Sequence, residues 1–416
     1  MAFQAGGPAL RRDRGLEAVA YAYDEMTRVP AAAVWAKPQG KAPPILRRLH
    51  RIVPRGIATV IGCSTFPDLE HLSGLFASLA TGNAVIVKPH PGAILVPLAL
   101  TVRIGREVLA EAGFDPDVLL LLADEPDAPV TRDLVTDPRI GVIDFTGSPV
   151  FGRWLRENSP APAIHTEEAG VNSIVIDGTS DFKGMCQNVA FSLSLYTGQM
   201  CTAPQNVFVP RGGIDTDDGH KSFDEVAAAI ARGIDKLLAD PERAAAVLGA
   251  VQNPATVARV NETAGLGRVV RPSGSVEIPG FPGARTATPL ILAVDAATDA
   301  AAYTEERFGP ISFIVATDDT ADSISRAAAA ARTRGAITAA LYSTDEGTVE
   351  AAGNAFARAG VPLSVNLTGG IFVNQSAAFS DYHVTGGNPA GNACLTDSAF
   401  VANRFRVATM RRPRVA

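Results

Sequence analysis

Four short apolar runs separated by helical patterns limit the possible folds more than any other feature of this sequence. The runs have the composition of buried strands and lie at 57–62, 84–88, 117–123 and 140–145. The helical patterns between them lie at 69–80, 93–112 and 128–136. Continuous apolar strands alternating with helices predict an α/β fold with a parallel, doubly wound sheet covered on both faces. Such sheets bind ligands at the carboxyl ends of their strands.

A second α/β region begins near residue 172. Its predicted strands lie at 173–177, 206–210, 311–315 and 337–341, and its predicted helices at 181–197, 222–238 and 321–333. The Gly- and Asp-rich stretch 211–220 is expected to be a surface loop. A helix over 15–30 and an extended, proline-rich hairpin or connector over 38–55 precede the first strand. A chain of 416 residues is too long for one typical core, so we expect two lobes.

Composition excludes several classes of protein. The net charge of −6, without a Lys or Arg stripe along a predicted helix, argues against a nucleic-acid partner. No apolar run reaches the roughly 18 residues of a membrane span, and the N-terminus carries no apolar leader. The cysteines and histidines lack metal-ligand spacing, so we expect no metal and interpret the histidines as surface or partly buried residues. Together these features predict a cytoplasmic protein.

Cys201 is the strongest candidate for a chemical role. Most cysteines are small buried hydrophobes, but this one follows Gly198-Gln-Met at the end of a predicted helix and precedes Pro204. A nucleophile belongs at such a turn, near polar backbone donors. A thiol there can attack an aldehyde carbon, after which a hydride leaves for a nicotinamide and the resulting thioester must be hydrolysed.

Two adjacent carboxylates, Glu167 and Glu168, lie between the two predicted lobes. Such a pair is most often a solvated loop, and its position between the lobes is what singles it out. Either glutamate can serve as the general base that activates the hydrolytic water. The residues by themselves leave this choice open.

Further candidates fall at strand ends and turns. Gly147 permits a tight turn after the fourth strand, and Ser148 and Pro149 suit the cap and first turn of the next helix. The free N–H groups of that helix favour a pyrophosphate. Lys88, at the end of the second strand, faces the same crevice and can hydrogen-bond a cofactor ribose. Glu306 is unremarkable by itself.

Six segments occur in the order found in the aldehyde dehydrogenase superfamily, which this sequence resembles between residues 62 and 310. They are Gly62–Pro67, Ala80–Pro89, Phe145–Gly152, Glu167–Asn172, Gly198–Cys201 and Glu306–Pro310. The resemblance implies an NAD(P)-binding domain over 1–170, a catalytic α/β domain over 171–380, and a C-terminal segment with an oligomerisation arm over 381–416. Leu79–Pro91 and Gly387–Asn392 resemble the phenylacetate-degradation branch, the PaaN-like enzymes.

The resemblance assigns roles position by position. Cys201 matches the family nucleophile. Aligning Asn172 with the asparagine of the family's Glu-Leu-Gly-Gly-Lys-Asn motif places Glu167, rather than Glu168, on the general base. The cofactor contacts are matched by Lys88 and Glu306 for the riboses, Phe308 near the nicotinamide, and Gly147 and Ser148 at the pyrophosphate turn.

Departures from the family pattern alter the expected chemistry. Thr65 replaces the oxyanion asparagine, and loss of one such donor costs about 10²–10³ in rate. We expect the Thr65 hydroxyl and the Cys201 N–H to form a remodelled oxyanion hole. Pro91 replaces the carboxylate that commonly selects NAD, so we expect NADP to be accepted and favoured over NAD. Ala169–Val171 replaces the family's Gly-Gly-Lys.

The resemblance implies an NADP- or NAD-dependent aldehyde dehydrogenase whose substrate is a small aldehyde from aromatic or CoA-linked catabolism. Retention of Glu167 favours water over coenzyme A as the acceptor of the acyl group. Residues 38–55 and 398–416 resemble the arms through which the family dimerises, so we expect a homodimer or homotetramer.

An alternative hypothesis is a non-catalytic homologue that serves as a nucleotide-binding or structural subunit. Thr65 motivates it, together with an N-terminus that is short by the family's standard. The presence of Cys201, Glu167, Lys88 and Glu306 together argues against it.

Overall fold

The structure, a computed structural model, describes residues 8–41, 44–65, 69–92, 95–168, 170–372 and 398–414. Ala169, His383, Gly387–Asn392 and Cys394 lie outside these residues. The helices are α1 Pro8–Thr27, α2 Leu69–Ala80, α3 Leu95–Glu111, α4 Thr131–Thr136, α5 Pro149–Asn158, α6 Phe182–Ser194, α7 Phe223–Leu237, α8 Pro241–Leu248, α9 Pro254–Thr263, α10 Ala300–Tyr303, α11 Thr320–Arg334, α12 Glu346–Ala359 and α13 Ser398–Ala402. The strands are β1 Ala32–Ala36, β2 Ile45–Pro54, β3 Ile57–Ile61, β4 Ala84–Lys88, β5 Leu119–Leu121, β6 Ile140–Gly147, β7 Ala163–Glu168, β8 Asn172–Ile176, β9 Gly178–Thr179, β10 Pro204–Pro210, β11 Ile214–Thr216, β12 Gly219–Lys221, β13 Arg268–Arg271, β14 Leu290–Asp295, β15 Ile311–Thr317, β16 Ala339–Tyr342, β17 Leu363–Val365 and β18 Phe405–Pro413.

The first sheet consists of five parallel strands in the order β5-β4-β3-β6-β7. The helix predicted at 69–80 and the strand predicted at 84–88 have those bounds in the structure. Helices cover both faces, as continuously apolar strands require. Val85 belongs to a core with Leu75 of α2 on one face, and Ile143 to a core with Leu155 of α5 on the other. The predicted doubly wound parallel sheet is confirmed.

The second sheet has seven strands in the order β13-β14-β15-β10-β8-β16-β17. All neighbouring strands are parallel except β13, which pairs antiparallel with β14 at one edge. This sheet also has a core on each face. Phe313 belongs to one core with Phe356 of α12, and Val207 to the other with Val226 of α7.

The proline-rich segment predicted over 38–55 contains the central strand of a third sheet. Strand β2 pairs antiparallel with β1 on one side and with β18 on the other. The two segments that resemble oligomerisation arms therefore meet in one sheet. Large apolar side chains remain exposed on it, at Val34, Trp35, Val407 and Met410.

A buried ion pair links the start of strand β18 to strand β6 of the first sheet. Arg404, directly before β18, is 0% exposed and donates to both carboxylate oxygens of Asp144 on β6, at 2.6 and 2.7 Å. Its guanidinium also donates to Ser78 Oγ at 2.7 Å and lies over the Phe400 ring. Bidentate pairs of this kind combine strength with a fixed geometry. The pair holds β18, and through it β2, in a defined position beside the first sheet.

Some local predictions were wrong. The stretch 211–220, predicted as a loop, contributes β11 and most of β12, which form a small sheet with β9. The strand predicted at 117–123 is shorter in the structure, where β5 covers Leu119–Leu121, because Asp115 caps a short 3-10 turn over Pro116–Val118. His165, predicted at or near the surface, is buried, and this burial lowers its pKa to about 4. The sequence patterns did not reveal β14 or α12.

Within the ranges given above, no helix combines the length and the apolar surface needed to cross a bilayer. Groups of three or more side chains suited to holding a metal ion are also absent from those ranges.

Candidate active site

The residues predicted for the first sheet gather at one of its edges. The strand register aligns Ile61 with Lys88 on one side and with Phe145 on the other, and aligns Phe145 with Thr166. The Lys88 side chain, the turn after β6 and the last residues of β7 therefore lie at the carboxyl ends of neighbouring parallel strands. This is the edge at which such sheets bind ligands.

Lys88 is buried in an ion pair at this edge. Its ammonium donates to Asp124 Oδ1 at 2.5 Å and to the Pro89 carbonyl at 2.9 Å. The Lys88 and Asp124 side chains are 3% and 1% exposed. The Val130 N–H donates to the second carboxylate oxygen at 3.0 Å. The sequence predicted a lysine facing the ligand crevice and did not assign it a carboxylate partner.

The turn between β6 and α5 has the predicted cap. The Phe151 N–H donates to Ser148 Oγ at 3.4 Å, and Pro149 occupies the first helical position. A Cβ atom on Gly147 would lie 2.6 Å from Phe145 Cζ, so a larger residue there would require the Phe145 ring to shift. Because the helix begins at this edge of the sheet, its N-terminal N–H groups and dipole favour an anion beside it.

The two glutamates of β7 have different surroundings. Consecutive side chains on a strand point to opposite faces. Glu168 is ion-paired with Arg156 of α5, and a Cβ atom on Gly152 would lie only 2.0 Å from Glu168 Oε1. Glu168 is thus held under α5, whereas Glu167 lies on the other face and is 1% exposed. This arrangement separates two residues that the sequence alone did not distinguish.

Cys201 follows a turn with unusual backbone angles. Tyr196, Thr197 and Gly198 all have positive φ, at 51°, 57° and 61°. Thr197 Oγ1 donates to the Leu248 carbonyl at 2.9 Å, which holds the turn against α8. The side chain of Gln199 bonds to the backbone around residue 250, accepting from the Gln252 N–H at 2.8 Å. Cys201 itself is 7% exposed.

The Asn172 side chain joins this turn to the seven-stranded sheet. Its Nδ2 donates to the carbonyls of Cys201, at 2.7 Å, and Ala203, at 3.1 Å. Its Oδ1 accepts from the N–H groups of Ile337, at 2.8 Å, and Thr338, at 3.1 Å. A single buried amide therefore satisfies four backbone groups on two separate segments.

A cavity brings Cys201 together with Glu306 and Phe308; Gly170, Asn172, Met200 and Gln205 also line it. Burial raises the pKa of the Glu306 carboxyl to about 7, although the Arg259 charge lowers this pKa and the Glu168 charge raises it further. Arg259 also donates to the Phe308 carbonyl at 2.6 Å. The other predicted site residues, Glu167, Thr65, Lys88, Gly147 and Ser148, do not line this cavity.

Thr65 lies beyond the end of β3. Its hydroxyl is 3.5 Å from Cys63 Sγ. Cys63 packs against the apolar cluster that contains Tyr196, Met200 and Cys201. The segment after β3 therefore reaches the surroundings of Cys201, the residue predicted to be the nucleophile.

Sequence reasoning missed Asp124, Arg156, Arg259 and the role of the Asn172 side chain. Asp124 carried a usable signal, because it is the first polar residue after an apolar strand whose carboxyl end faces the ligand edge. Arg156 and Arg259 lie on helices and find their partners only across the fold, so no local pattern marks them.

Comparison with known proteins identifies the family of this chain. A protein-family model described as "Aldehyde dehydrogenase family" matches residues 13–388. The chain belongs to the aldehyde dehydrogenase family. A solved NAD-dependent aldehyde dehydrogenase from Burkholderia multivorans is 56% identical, with a TM-score of 0.94 over 100% of this chain and 74% of that chain. A Thermus thermophilus 1-pyrroline-5-carboxylate dehydrogenase mutant, 20% identical, shares the fold with a TM-score of 0.72 over 97% of this chain and 74% of its own.

Curated aldehyde dehydrogenases match smaller parts of the chain. Benzaldehyde dehydrogenase [NAD(+)] from Pseudomonas putida is 27% identical over 319 residues, which cover 75% of this chain and 62% of that protein. Vanillin dehydrogenase from an Amycolatopsis species is 32% identical over 177 residues, 41% of this chain and 35% of that protein. The matched region therefore spans less than two thirds of either relative.

Replacing Gly198 with alanine should damage the turn that carries Cys201 in this aldehyde dehydrogenase family member. A Cβ atom there would lie 2.2 Å from the Gly309 carbonyl oxygen, and its φ of +61° disfavours side chains. We expect Gly198→Ala to lower the free energy of unfolding by about 2–4 kcal/mol and to slow alkylation of Cys201, measured by urea unfolding and peptide mapping. Gly353→Ala, within α12 and with no atom inside 4 Å, is the control and should gain up to about 1 kcal/mol. Equal stability of the two variants would contradict this account of the turn.

Proposed function

We propose that this protein oxidises an aldehyde to a carboxylic acid, with NAD or NADP accepting the hydride. The observation that carries the proposal is the cavity that Cys201 shares with Glu306 and Phe308, beside a turn held by Asn172. Family membership supports the same activity.

The first sheet offers a fitting cradle for a dinucleotide. At the turn, the Phe145 ring occupies the space that a Cβ atom on Gly147 would take, and α5 begins there with its N–H groups toward the ligand edge. Lys88 lies at the end of the adjoining strand β4, and Glu306 and Phe308 lie in the cavity wall. These residues would hold a nicotinamide nucleotide, which supplies the hydride acceptor when it is bound.

The chain's own residues account for the remaining steps. The Cys201 sulfur bonds to the aldehyde carbon, and the Thr65 hydroxyl and the Cys201 N–H donate to the oxygen that becomes negative. After hydride loss the acyl group remains on sulfur as a thioester. Glu167 accepts a proton from water, whose oxygen attacks the thioester carbon. The sulfur leaves and takes up a proton, so one aldehyde and one water yield one acid, with one hydride passed to the bound nucleotide and one proton released to solvent.

For the substrate we favour an aromatic aldehyde, with a CoA-linked aldehyde as the other candidate. Two relatives are named for aromatic aldehydes, benzaldehyde and vanillin. The sequence of Leu79–Pro91 also resembles the phenylacetate-degradation branch. Phe191, which packs against the apolar cluster around Cys201, stacks on Phe372 with ring centroids 3.9 Å apart. The ring of an aromatic substrate would pack beside the rings of Phe191 and Phe372.

Three broader proposals accompany the activity. We divide the chain into a nucleotide-binding domain over 1–170, a catalytic domain over 171–380 and a C-terminal arm. A homodimer or homotetramer would cover the apolar side chains exposed on the β1-β2-β18 sheet, among them Trp35 and Met410. A cytoplasmic location remains the prediction from the sequence.

The sequence and the names of two similar proteins point to different preferences between NAD and NADP. The sequence predicted a preference for NADP because Pro91 stands where a carboxylate commonly selects NAD. Two of the similar proteins, the Pseudomonas benzaldehyde dehydrogenase and the Burkholderia aldehyde dehydrogenase, are described by their names as NAD-dependent. Which nucleotide is preferred stays a prediction from Pro91, and turnover rates measured with each nucleotide test it.

Cys201→Ala should abolish reduction of NAD and NADP on a panel of aliphatic, aromatic and CoA-linked aldehydes, because it removes the sulfur proposed to carry the acyl group. Cys186→Ala is the control. Burial raises the pKa of the Cys186 thiol to about 12, so this cysteine is inert and its loss should leave turnover intact. Activity that persists in Cys201→Ala would rule out the nucleophile assignment.

The second candidate is a non-catalytic nucleotide-binding homologue, and the presence of Thr65 in place of asparagine favours it. The same assay tests this candidate. A folded wild-type protein that binds nucleotide but turns over no aldehyde would favour that candidate.

Glu167→Gln should trap the acyl-enzyme, because the amide cannot take a proton from the hydrolytic water. We expect hydrolysis to slow by about 10²–10⁴, so that intact-mass spectrometry detects protein carrying the acyl group. Glu168→Gln is the matched variant: it weakens the pair with Arg156 but leaves the thioester to turn over. Accumulation in Glu168→Gln rather than Glu167→Gln would reverse the assignment.

A further inference from the structure

His165 of β7 is buried beside more positive than negative charge. It is 8% exposed and lies opposite Asp144 of β6 in the strand register. Its ring packs against the Phe400 ring, with the two centroids 4.9 Å apart. The charges of Arg404 and Arg55 favour the neutral form of the imidazole, and the Asp144 charge opposes them. Among the described residues, two guanidinium groups and one carboxylate therefore act on this imidazole.

The carboxylate at this site is already engaged and cannot compensate a further cation. Both Asp144 oxygens accept from the Arg404 guanidinium, at 2.6 and 2.7 Å. His165 Nε2 is buried and has no hydrogen-bond partner among the described residues. A proton on this nitrogen would create a buried charge without an acceptor, beside a guanidinium of the same sign. Burial, followed by the Arg404 charge, lowers the pKa of His165 to about 4.

The groups around His165 also attach helix α13 and strand β18, together the α13–β18 segment, to the rest of the protein. Arg404 lies between these two elements and pairs with the first sheet. Phe400, on α13, contacts both the His165 ring and the Arg404 guanidinium. Arg55, directly after β2, donates to the Asn403 carbonyl and, at 3.0 Å, to Asn403 Oδ1. Each cation that acts on His165 therefore also holds this segment.

We propose that His165 is an acid-sensitive switch that releases the α13–β18 segment from the first sheet when its imidazole takes up a proton. A buried cation without a partner is costly, and water reaches the ring when Phe400 and Arg404 move away. Release of β18 removes one of the two neighbours of β2 and reduces the three-stranded sheet to the β1-β2 hairpin. An isolated hairpin is marginally stable, so an assembly built through this sheet would dissociate as well.

The pH range of the switch follows from the direction of the shift. In the released state the imidazole has the ordinary histidine pKa of about 6.5, whereas packed His165 has a pKa of about 4. The stability of the packed state is complete above pH 6.5. It is lost as the pH falls from 6.5 toward 4, because in this range the released state binds the proton and the packed state does not. These values give a rise of about 30-fold in the equilibrium constant for release between pH 7.5 and pH 5.

The test is amide hydrogen exchange of the full chain at pH 7.5 and pH 5, expressed as protection relative to an unstructured peptide at the same pH. Protection of residues 405–413 should fall by about 30-fold at pH 5, while the seven-stranded sheet keeps its protection. His165→Phe keeps a ring against Phe400 but cannot take up a proton. In this variant the fall should shrink to about threefold or less.

Two further variants decide whether His165 is the sensor. His50→Gln is the matched control, because it removes another histidine that contacts the same strand, through Thr409 at 3.1 Å, and should leave the fall in protection intact. His165→Gln is also neutral at both pH values and replaces His165→Phe if the latter does not fold. Unchanged protection of β18 in the wild type at pH 5 would overturn the proposal, and so would an undiminished fall in a folded His165 variant.

Discussion

Four hydrogen bonds made by the side-chain amide of Asn172 hold the turn that carries Cys201, the proposed nucleophile. They connect the carbonyls of Cys201 and Ala203 to the N–H groups of Ile337 and Thr338, at the amino ends of strands in the seven-stranded sheet. At about 1 kcal/mol net for each bond, the amide contributes on the order of 4 kcal/mol to holding these segments together. The position of the thiol depends on these bonds, and so does the cavity, which both Asn172 and Cys201 line.

The turn before Cys201 needs such support because its backbone is strained. Tyr196 and Thr197 adopt left-handed angles that cost non-glycine residues of order 1–3 kcal/mol each. Buried hydrogen bonds from Thr197 and Gln199 to the backbone near residue 250 offset part of this cost. Strain at a proposed nucleophile is consistent with function, since a relaxed turn would leave the position of the thiol less well defined.

The sequence predicted the first sheet well, and the reason is physical. Strands such as Ala84–Lys88 are buried on both faces, so their apolar runs are recorded locally. Contacts across the fold are not recorded in this way. The family resemblance favoured Glu167 over Glu168, but the physical difference between them, the pairing of Glu168 with Arg156, appears only in the fold. The same limit applies to Lys88. It pairs with Asp124 because strands β4 and β5 are neighbours in the sheet, and no local sequence pattern shows this contact.

Amide hydrogen exchange of Asn172→Asp beside the wild type tests the central claim most directly. The substitution keeps the shape of the side chain but turns both carbonyl contacts into repulsions. Exchange should accelerate over residues 198–205 and 336–338, while the strands of the five-stranded sheet keep their protection. Unchanged protection over residues 198–205 would show that Asn172 does not hold the Cys201 turn and would contradict this account of the site.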